Sequence, residues 1–133
     1  MVLTPTYHAF KMYVPFQDST FIPSSFESMP EYSLGDVSVP QVSASTAMSK
    51  EGDLILALVN LDPHEKAQIT ATVVGFAAQS ATGSVLTADA MDAHNTFDEP
   101  ETVKTAPISV NVQGGQVQLE LPAKSVVVLT IED

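Results

Sequence analysis

The chain has 133 residues, and its 16 acidic and five basic side chains give a formal net charge of -11 at pH 7. A chain of this length is about one domain and can bury roughly two thirds of the surface that its unfolded form exposes. The negative charge would repel a phosphate backbone or an anionic membrane, so neither nucleic acid nor a membrane is an expected partner. Cysteine is absent, which excludes disulfides and thiolate metal sites.

Neither a membrane span nor a secretion leader is visible in the sequence. There is no apolar run near 18 residues, and residues 1–11 do not have the basic and then apolar pattern of a leader. We therefore expect a soluble chain.

A short helix is the first predicted element. Thr4 followed by Pro5 is typical of a helix start, because a hydroxyl caps free backbone amides and proline fits the first helical position. Tyr7, Phe10 and Val14 then recur at spacings of three and four, which places them on one helix face. A helix this short is marginal in water, so its apolar stripe is expected to need a partner surface.

Residues 17–40 are rich in proline, serine and glycine but also carry scattered aromatic side chains. That composition is too aromatic for a free linker. It predicts a connecting strap that lies on the domain, with a short edge strand near Phe21 and Ile22.

After residue 40 the sequence has the period-two alternation of β-strands. Residues 54–60 and 126–131 are apolar at nearly every position, which predicts two central strands covered on both faces. Residues 108–112 and 117–121 alternate on either side of Gly114 and Gly115, which predicts a hairpin. Seven or eight strands after residue 40 predict an all-β fold: an antiparallel β-sandwich, jelly-roll-like, preceded by one short N-terminal helix.

The segment 88–105 has no clear period and holds most of the acidic residues of interest: Asp89, Asp92, Asp98, Glu99 and Glu101. Whether the loop is counted from Asp89 or from Asp92, the segment does not place acidic or amide residues at the ligand positions of a calcium loop. A glycosidase pair needs two carboxylates held about 5 Å apart for retention, and neighbouring acids of one loop do not provide that by sequence alone. We interpret the segment as a solvated acidic loop.

The three histidines, His8, His64 and His94, do not share metal-ligand spacing. His94, beside Asn95 and Phe97, is interpreted as a hydrogen-bonded loop anchor rather than a general base. The nucleophile-elbow motif is absent, although the many serines leave a Ser-His-Asp arrangement open. No catalytic residue, metal site or cofactor is predicted.

Several stretches together resemble the α-L-arabinofuranosidases of glycoside hydrolase family 51. Residues 3–13 with 17–18 resemble the last helix of that family's catalytic barrel, and residues 40–45 with 58–63 resemble the first strands of its C-terminal β domain. Residues 86–103, which include His94-Asn95-Thr96-Phe97, resemble its characteristic loop, and 121–125 resemble its closing turn.

The resemblance implies a retaining, arabinose-releasing hydrolase whose two catalytic glutamates lie upstream on a (β/α)₈ barrel. None of the glutamates of this chain falls in a matching motif, so the chain alone is predicted to be inactive and to be a non-catalytic C-terminal accessory domain. The resemblance also implies three segments: a remnant of the last barrel helix in 1–16, the strap in 17–40 and the β-sandwich in 41–133. Barrel-docking roles follow for Tyr7, Phe10, Val14, His94, Asn95 and Phe97.

The same resemblance implies a cytoplasmic location, the catalytic barrel as partner and assembly into a homo-oligomer. The β domain of the family also recruits N-terminal strands, so an unprotected sheet edge is expected here. The alternatives are a carbohydrate-binding module, or an accessory domain of another glycosidase. Binding modules usually display exposed aromatic rings, whereas after residue 40 this chain has only Phe76 and Phe97 and no tryptophan.

Overall fold

A computed structural model describes residues 1–133. It contains one α-helix, α1 (Pro5–Met12), and a 3₁₀ turn at Val14–Phe16. Its strands are β1 (Thr20–Ile22), β2 (Glu31–Leu34), β3 (Val37–Pro40), β4 (Val42–Met48), β5 (Leu54–Asn60), β6 (Ala67–Thr72), β7 (Ser80–Leu86), β8 (Thr105–Pro107), β9 (Asn111–Gln113), β10 (Gln116–Leu121) and β11 (Ser125–Glu132).

The start of α1 is the one that its sequence predicts. The Thr4 hydroxyl accepts a hydrogen bond of 3.1 Å from the backbone N–H of Tyr7, and Pro5 occupies the first helical position. The helix ends at Met12, and the 3₁₀ turn that follows contains Pro15. Pro15 has no N–H to donate to the carbonyl four residues earlier, and its ring clashes with that carbonyl, so the α-helix cannot continue through it.

The strands form two antiparallel sheets and a separate hairpin. The larger sheet has six strands in the order β1-β4-β5-β11-β7-β8, and the smaller has three in the order β6-β10-β9. The hairpin pairs β2 with β3 only. Eight strands follow residue 40, and the predicted antiparallel β-sandwich with one short N-terminal helix is confirmed.

The main core lies between the two sheets. Leu54, Leu56 and Leu58 of β5 project from the six-stranded sheet onto the side chains of β10, among them Val117 and Leu121. Because neighbouring residues of a strand face opposite sides, Ile55 and Ala57 of β5 lie on the other face, where they are equally buried. We call this second face the outer face of the six-stranded sheet.

The two strands predicted to be central are β5 and β11, and they are hydrogen-bonded neighbours in the middle of the six-stranded sheet. Val127, Leu129 and Ile131 of β11 belong to the main core, whereas Val128 belongs to the cluster on the outer face. Burial on both faces is the reason that these runs are apolar at nearly every position.

Two features differ from the sequence prediction. The first is the hairpin arm predicted at 108–112, of which only β9 pairs with β10. The chain changes sheets there, because the preceding strand β8 pairs with β7 and the Ile108 N–H donates to Gly83 O at 3.2 Å. The predicted strap at 17–40 contains β1, as expected, but also the hairpin β2–β3. A signal for this hairpin was present, since Gly35 and Asp36 form a two-residue turn with a positive φ at Gly35.

A buried hydrogen-bond network closes one end of the sandwich. Asn60 is 2% exposed, and its Nδ2 donates to Glu65 O at 2.9 Å and to Pro122 O at 3.0 Å. Its Oδ1 accepts from the Asp62 N–H at 3.1 Å. One amide side chain therefore holds the turn after β5 against the turn before β11. We call this end, where β4 begins, the upper end of the sandwich.

The network predicts that Asn60→Ala destabilises the chain by about 3 kcal/mol, because it leaves buried carbonyl oxygens without donors. The matched control is Asn111→Ala in exposed β9, which should change the free energy of unfolding by less than about 0.5 kcal/mol. Urea denaturation of the 133-residue variants measures both. Similar losses for the two variants would contradict the role given to Asn60.

Gly83 of β7 predicts a second stability effect. A Cβ atom on this residue would lie 2.6 Å from Val128 O and would also clash with the Leu129 side chain. Because one of these atoms is backbone, Gly83→Ala should lower the free energy of unfolding by about 3 kcal/mol. Ser84→Ala, one residue along the same strand, should cost less than about 0.5 kcal/mol in the same denaturation experiment. A G83A chain as stable as its parent would show that β7 does not pack this closely on β11.

Candidate docking surface

One side of α1 is anchored on the outer face of the six-stranded sheet. Met12 is 7% exposed and packs with Ile55, Ala57 and Val128. Ala9, Tyr13 and Phe16 are partly buried against the same cluster. Burial also raises the pKa of the Tyr13 hydroxyl above its ordinary value. The helix is therefore held by its own domain along this side.

The opposite side of α1 is uncovered. Phe10 is 76% exposed, Val14 52% and Tyr7 43%. Tyr7 and Phe10 lie three residues apart on one face of α1, and Val14 follows them in the 3₁₀ turn. We call these three residues the exposed stripe. Three large exposed apolar side chains within eight residues are of the kind that marks an interaction surface.

Asn95 ties the acidic loop to the start of α1. Its Nδ2 donates to Leu3 O at 2.7 Å and to Val103 O at 2.8 Å, while its Oδ1 accepts from the Val103 N–H at 2.6 Å. Both donors of the amide are thus used within the chain. Asn95 positions the loop, and any contribution that it makes to docking comes through the neighbours it places.

The two other predicted loop residues are exposed. Phe97 is 87% exposed, and His94 has its Nδ1 2.9 Å from Asp92 O. The histidine contact agrees with the interpretation of a loop anchor. Asn95 holds this loop beside Leu3, so the exposed ring of Phe97 lies on a loop that adjoins the start of α1.

The acidic residues of the loop point to solvent and do not converge. Glu101 accepts a hydrogen bond of 2.9 Å from Lys104 Nζ, and this bond, with the charge of the lysine, lowers the pKa of the Glu101 carboxyl. No three histidine or acidic side chains of the chain lie together as metal ligands would. Beside the loop is a cavity of about 380 Å³ lined by seven residues, of which Asp89 is the one acid. A single carboxylate does not make the pair that glycoside hydrolysis requires.

The three-stranded sheet has an open edge. It opposes a sheet of six strands, and β6 is hydrogen-bonded to β10 on one side only. The outer backbone groups of residues 67–72 are therefore free to pair with a further strand. This is an unprotected sheet edge of the kind expected from the family resemblance.

No helix in the chain has both the length and the apolar character needed to cross a bilayer.

This chain is similar to parts of several arabinofuranosidases. The model of the α-L-arabinofuranosidase C-terminal domain matches residues 1–125. An intracellular exo-α-L-arabinofuranosidase of Bacteroides ovatus is 38% identical over 133 residues, which are 99% of this chain and 26% of that protein.

Solved structures give the same picture. The GH51 arabinofuranosidase of Xanthomonas axonopodis pv. citri is 39% identical, with a TM-score of 0.94 over 99% of this chain and 27% of its own. The thermostable GH51 α-L-arabinofuranosidase of Thermotoga petrophila RKU-1 is 25% identical, with a TM-score of 0.79 over 98% of this chain and 29% of its own.

This chain thus spans about a quarter of the length of the relatives that it matches. The family model covers nearly all of it, from α1 through the last turn. The chain belongs to the C-terminal domain family of the α-L-arabinofuranosidases of glycoside hydrolase family 51.

Proposed function

We propose that this chain is the non-catalytic C-terminal accessory domain of an α-L-arabinofuranosidase, and that its task is to support the catalytic barrel. The parent enzyme would be a retaining hydrolase acting on arabinose-containing polysaccharides and oligosaccharides. The observation that carries the proposal is the division of α1 and its 3₁₀ turn into a side anchored by Met12 and the exposed stripe.

This division is expected of a helix that packs between the sandwich and the catalytic barrel. Its inner side holds the helix to the sandwich, and its outer side offers Tyr7, Phe10 and Val14 to a partner. Full burial of a large apolar side chain contributes about 1.5 to 3 kcal/mol, so the exposed stripe can stabilise a docked barrel by several kcal/mol. Asn95 contributes by fixing the loop that carries Phe97 to the start of the same helix.

The open edge of β6 supports a second part of the proposal. Free amides and carbonyls of an edge strand recruit an additional strand, and we assign that strand to the N-terminal part of the same enzyme or to a second copy. Assembly into a homo-oligomer belongs to the same proposal. A cytoplasmic location is also proposed, and the intracellular relative in Bacteroides ovatus supports it.

A carbohydrate-binding module is the competing function, and the fold disfavours it. Of the two aromatic side chains after residue 40, Phe76 packs against the main core and Phe97 alone is exposed. A single exposed ring on the sandwich does not form the aromatic platform on which sugar rings stack. Matches to the arabinofuranosidase domain likewise disfavour an accessory domain of an unrelated glycosidase.

Substitutions in the exposed stripe should act only in the intact enzyme. Phe10→Ser with Val14→Ser should leave the free energy of unfolding of the 133-residue chain within about 0.5 kcal/mol of the parent, because both side chains are exposed in it. In the full-length enzyme the same pair should weaken docking by about 2 kcal/mol or more and lower the melting temperature.

The matched control for the stripe is Val74→Ser, a change at a residue that is 97% exposed in the turn after β6. Calorimetric melting of the full-length enzyme should be unaffected by this control. Equal effects of the stripe and control variants in the full-length enzyme would refute barrel support by α1.

The 133-residue chain alone should neither hydrolyse nor bind the substrate. We expect no turnover of an aryl arabinofuranoside above that of a mock purification, and no saturable heat when arabino-oligosaccharides are titrated in a calorimeter. Turnover by the chain would overturn its assignment as non-catalytic. Saturable heat without turnover would favour the carbohydrate-binding module.

A further inference from the structure

The hairpin β2–β3 has one apolar face that is largely exposed toward its turn. Tyr32 lies opposite Val39 and Leu34 opposite Val37, so these four side chains share one face. Leu34 is 72% exposed, Val37 67% and Val39 37%. No charged side chain lies among them.

The other face of the hairpin is polar and satisfies its own hydrogen bonds. Ser33 Oγ donates to Ser38 Oγ at 3.1 Å, and Ser38 Oγ donates to Glu31 Oε2 at 2.9 Å. The hairpin is therefore amphipathic, but it belongs to neither sheet of the sandwich. An isolated two-stranded hairpin is marginally stable in water, so this one requires a cover for its apolar face.

The base of the hairpin lies at the upper end of the sandwich. The Gln41 N–H donates to Pro30 O at 2.8 Å, and the next residue, Val42, begins β4 opposite Asn60. The N-terminal residues lie at the same end, because Asn95 joins Leu3 to the loop that leads into β8. The hairpin and the N-terminal residues are thus on the same side of the domain, at different edges of the sheet.

We propose that the apolar face of β2–β3 is a second contact for the catalytic part of the same enzyme, which would present an uncharged apolar patch to it. This inference rests on the proposed function and extends it from α1 to a separate surface. The two surfaces lie at different edges of the sheet, so together they would fix the orientation of the domain on its partner.

Reach and concentration favour this occupant over a second copy. Four strand spacings separate β4 from β8, which is about 19 Å. The remaining three quarters of an enzyme the size of its relatives would measure about 50 Å across, so it can cover both edges. A covalently attached partner is present at millimolar effective concentration, whereas a second copy must be recruited from solution at its own lower concentration.

Amide hydrogen exchange compares the hairpin in the full-length enzyme and in the 133-residue chain. We expect the amides of residues 31–40 to exchange at least about tenfold more slowly in the full-length enzyme. Leu34→Ser with Val37→Ser should abolish that protection and leave the protection of α1 intact. Val74→Ser, at the opposite end of the sandwich, should change neither.

Each other outcome of the exchange experiment excludes the inference. Protection of α1 without protection of 31–40 would overturn the hairpin contact and leave barrel support by α1 standing. Absence of protection at both surfaces would overturn barrel support as well. Protection that rises with protein concentration, together with dissociation of oligomers by the Leu34 and Val37 substitutions in sedimentation, would assign the face to a second copy instead.

Discussion

Burial of the six-stranded sheet on both of its faces is the constraint on which the rest of this domain depends. β5 and β11 are apolar toward both sides, so each face must be covered. The three-stranded sheet covers one face, and α1 with the acidic loop covers the other. Removing either cover would expose a continuous apolar surface, which makes the short helix a structural layer of the domain and not a loose extension.

The outer layer explains how a helix of eight residues can present apolar side chains to solvent and still be held. Met12 anchors it to the sheet, and Asn95 fastens the residues before it to the loop. The side that is left over carries the exposed stripe. Structural and functional demands are thus separated by helix face, which is how one short element can serve both its own domain and a neighbouring one.

At the upper end of the sandwich, a few polar side chains hold several turns together. Asn60 joins the turns that follow β5 and precede β11, and Thr87 at the end of β7 donates to the carbonyls of Ala123 and Lys124. The stretches that resemble the arabinofuranosidase family include these turns and the loop held by Asn95. Each contributes a polar side chain that closes a turn, so the family likeness at this end has a structural explanation in buried hydrogen bonds.

The sequence by itself determined most strands after residue 40, the helix start and the central position of β5 and β11, because these follow from alternation, capping and runs nearly free of polar residues. The spacing of Tyr7, Phe10 and Val14 also indicated an apolar stripe in need of a partner surface. Only the tertiary structure decided that residues 108–110 cross between the two sheets. It also decided that the Asn95 amide donates to Leu3 O and Val103 O, and that the hairpin at 31–40 is separate from both sheets and has a largely exposed apolar face. The reason is physical: pairing partners and hydrogen-bond acceptors distant in sequence are chosen by packing, and local pattern carries no information about them.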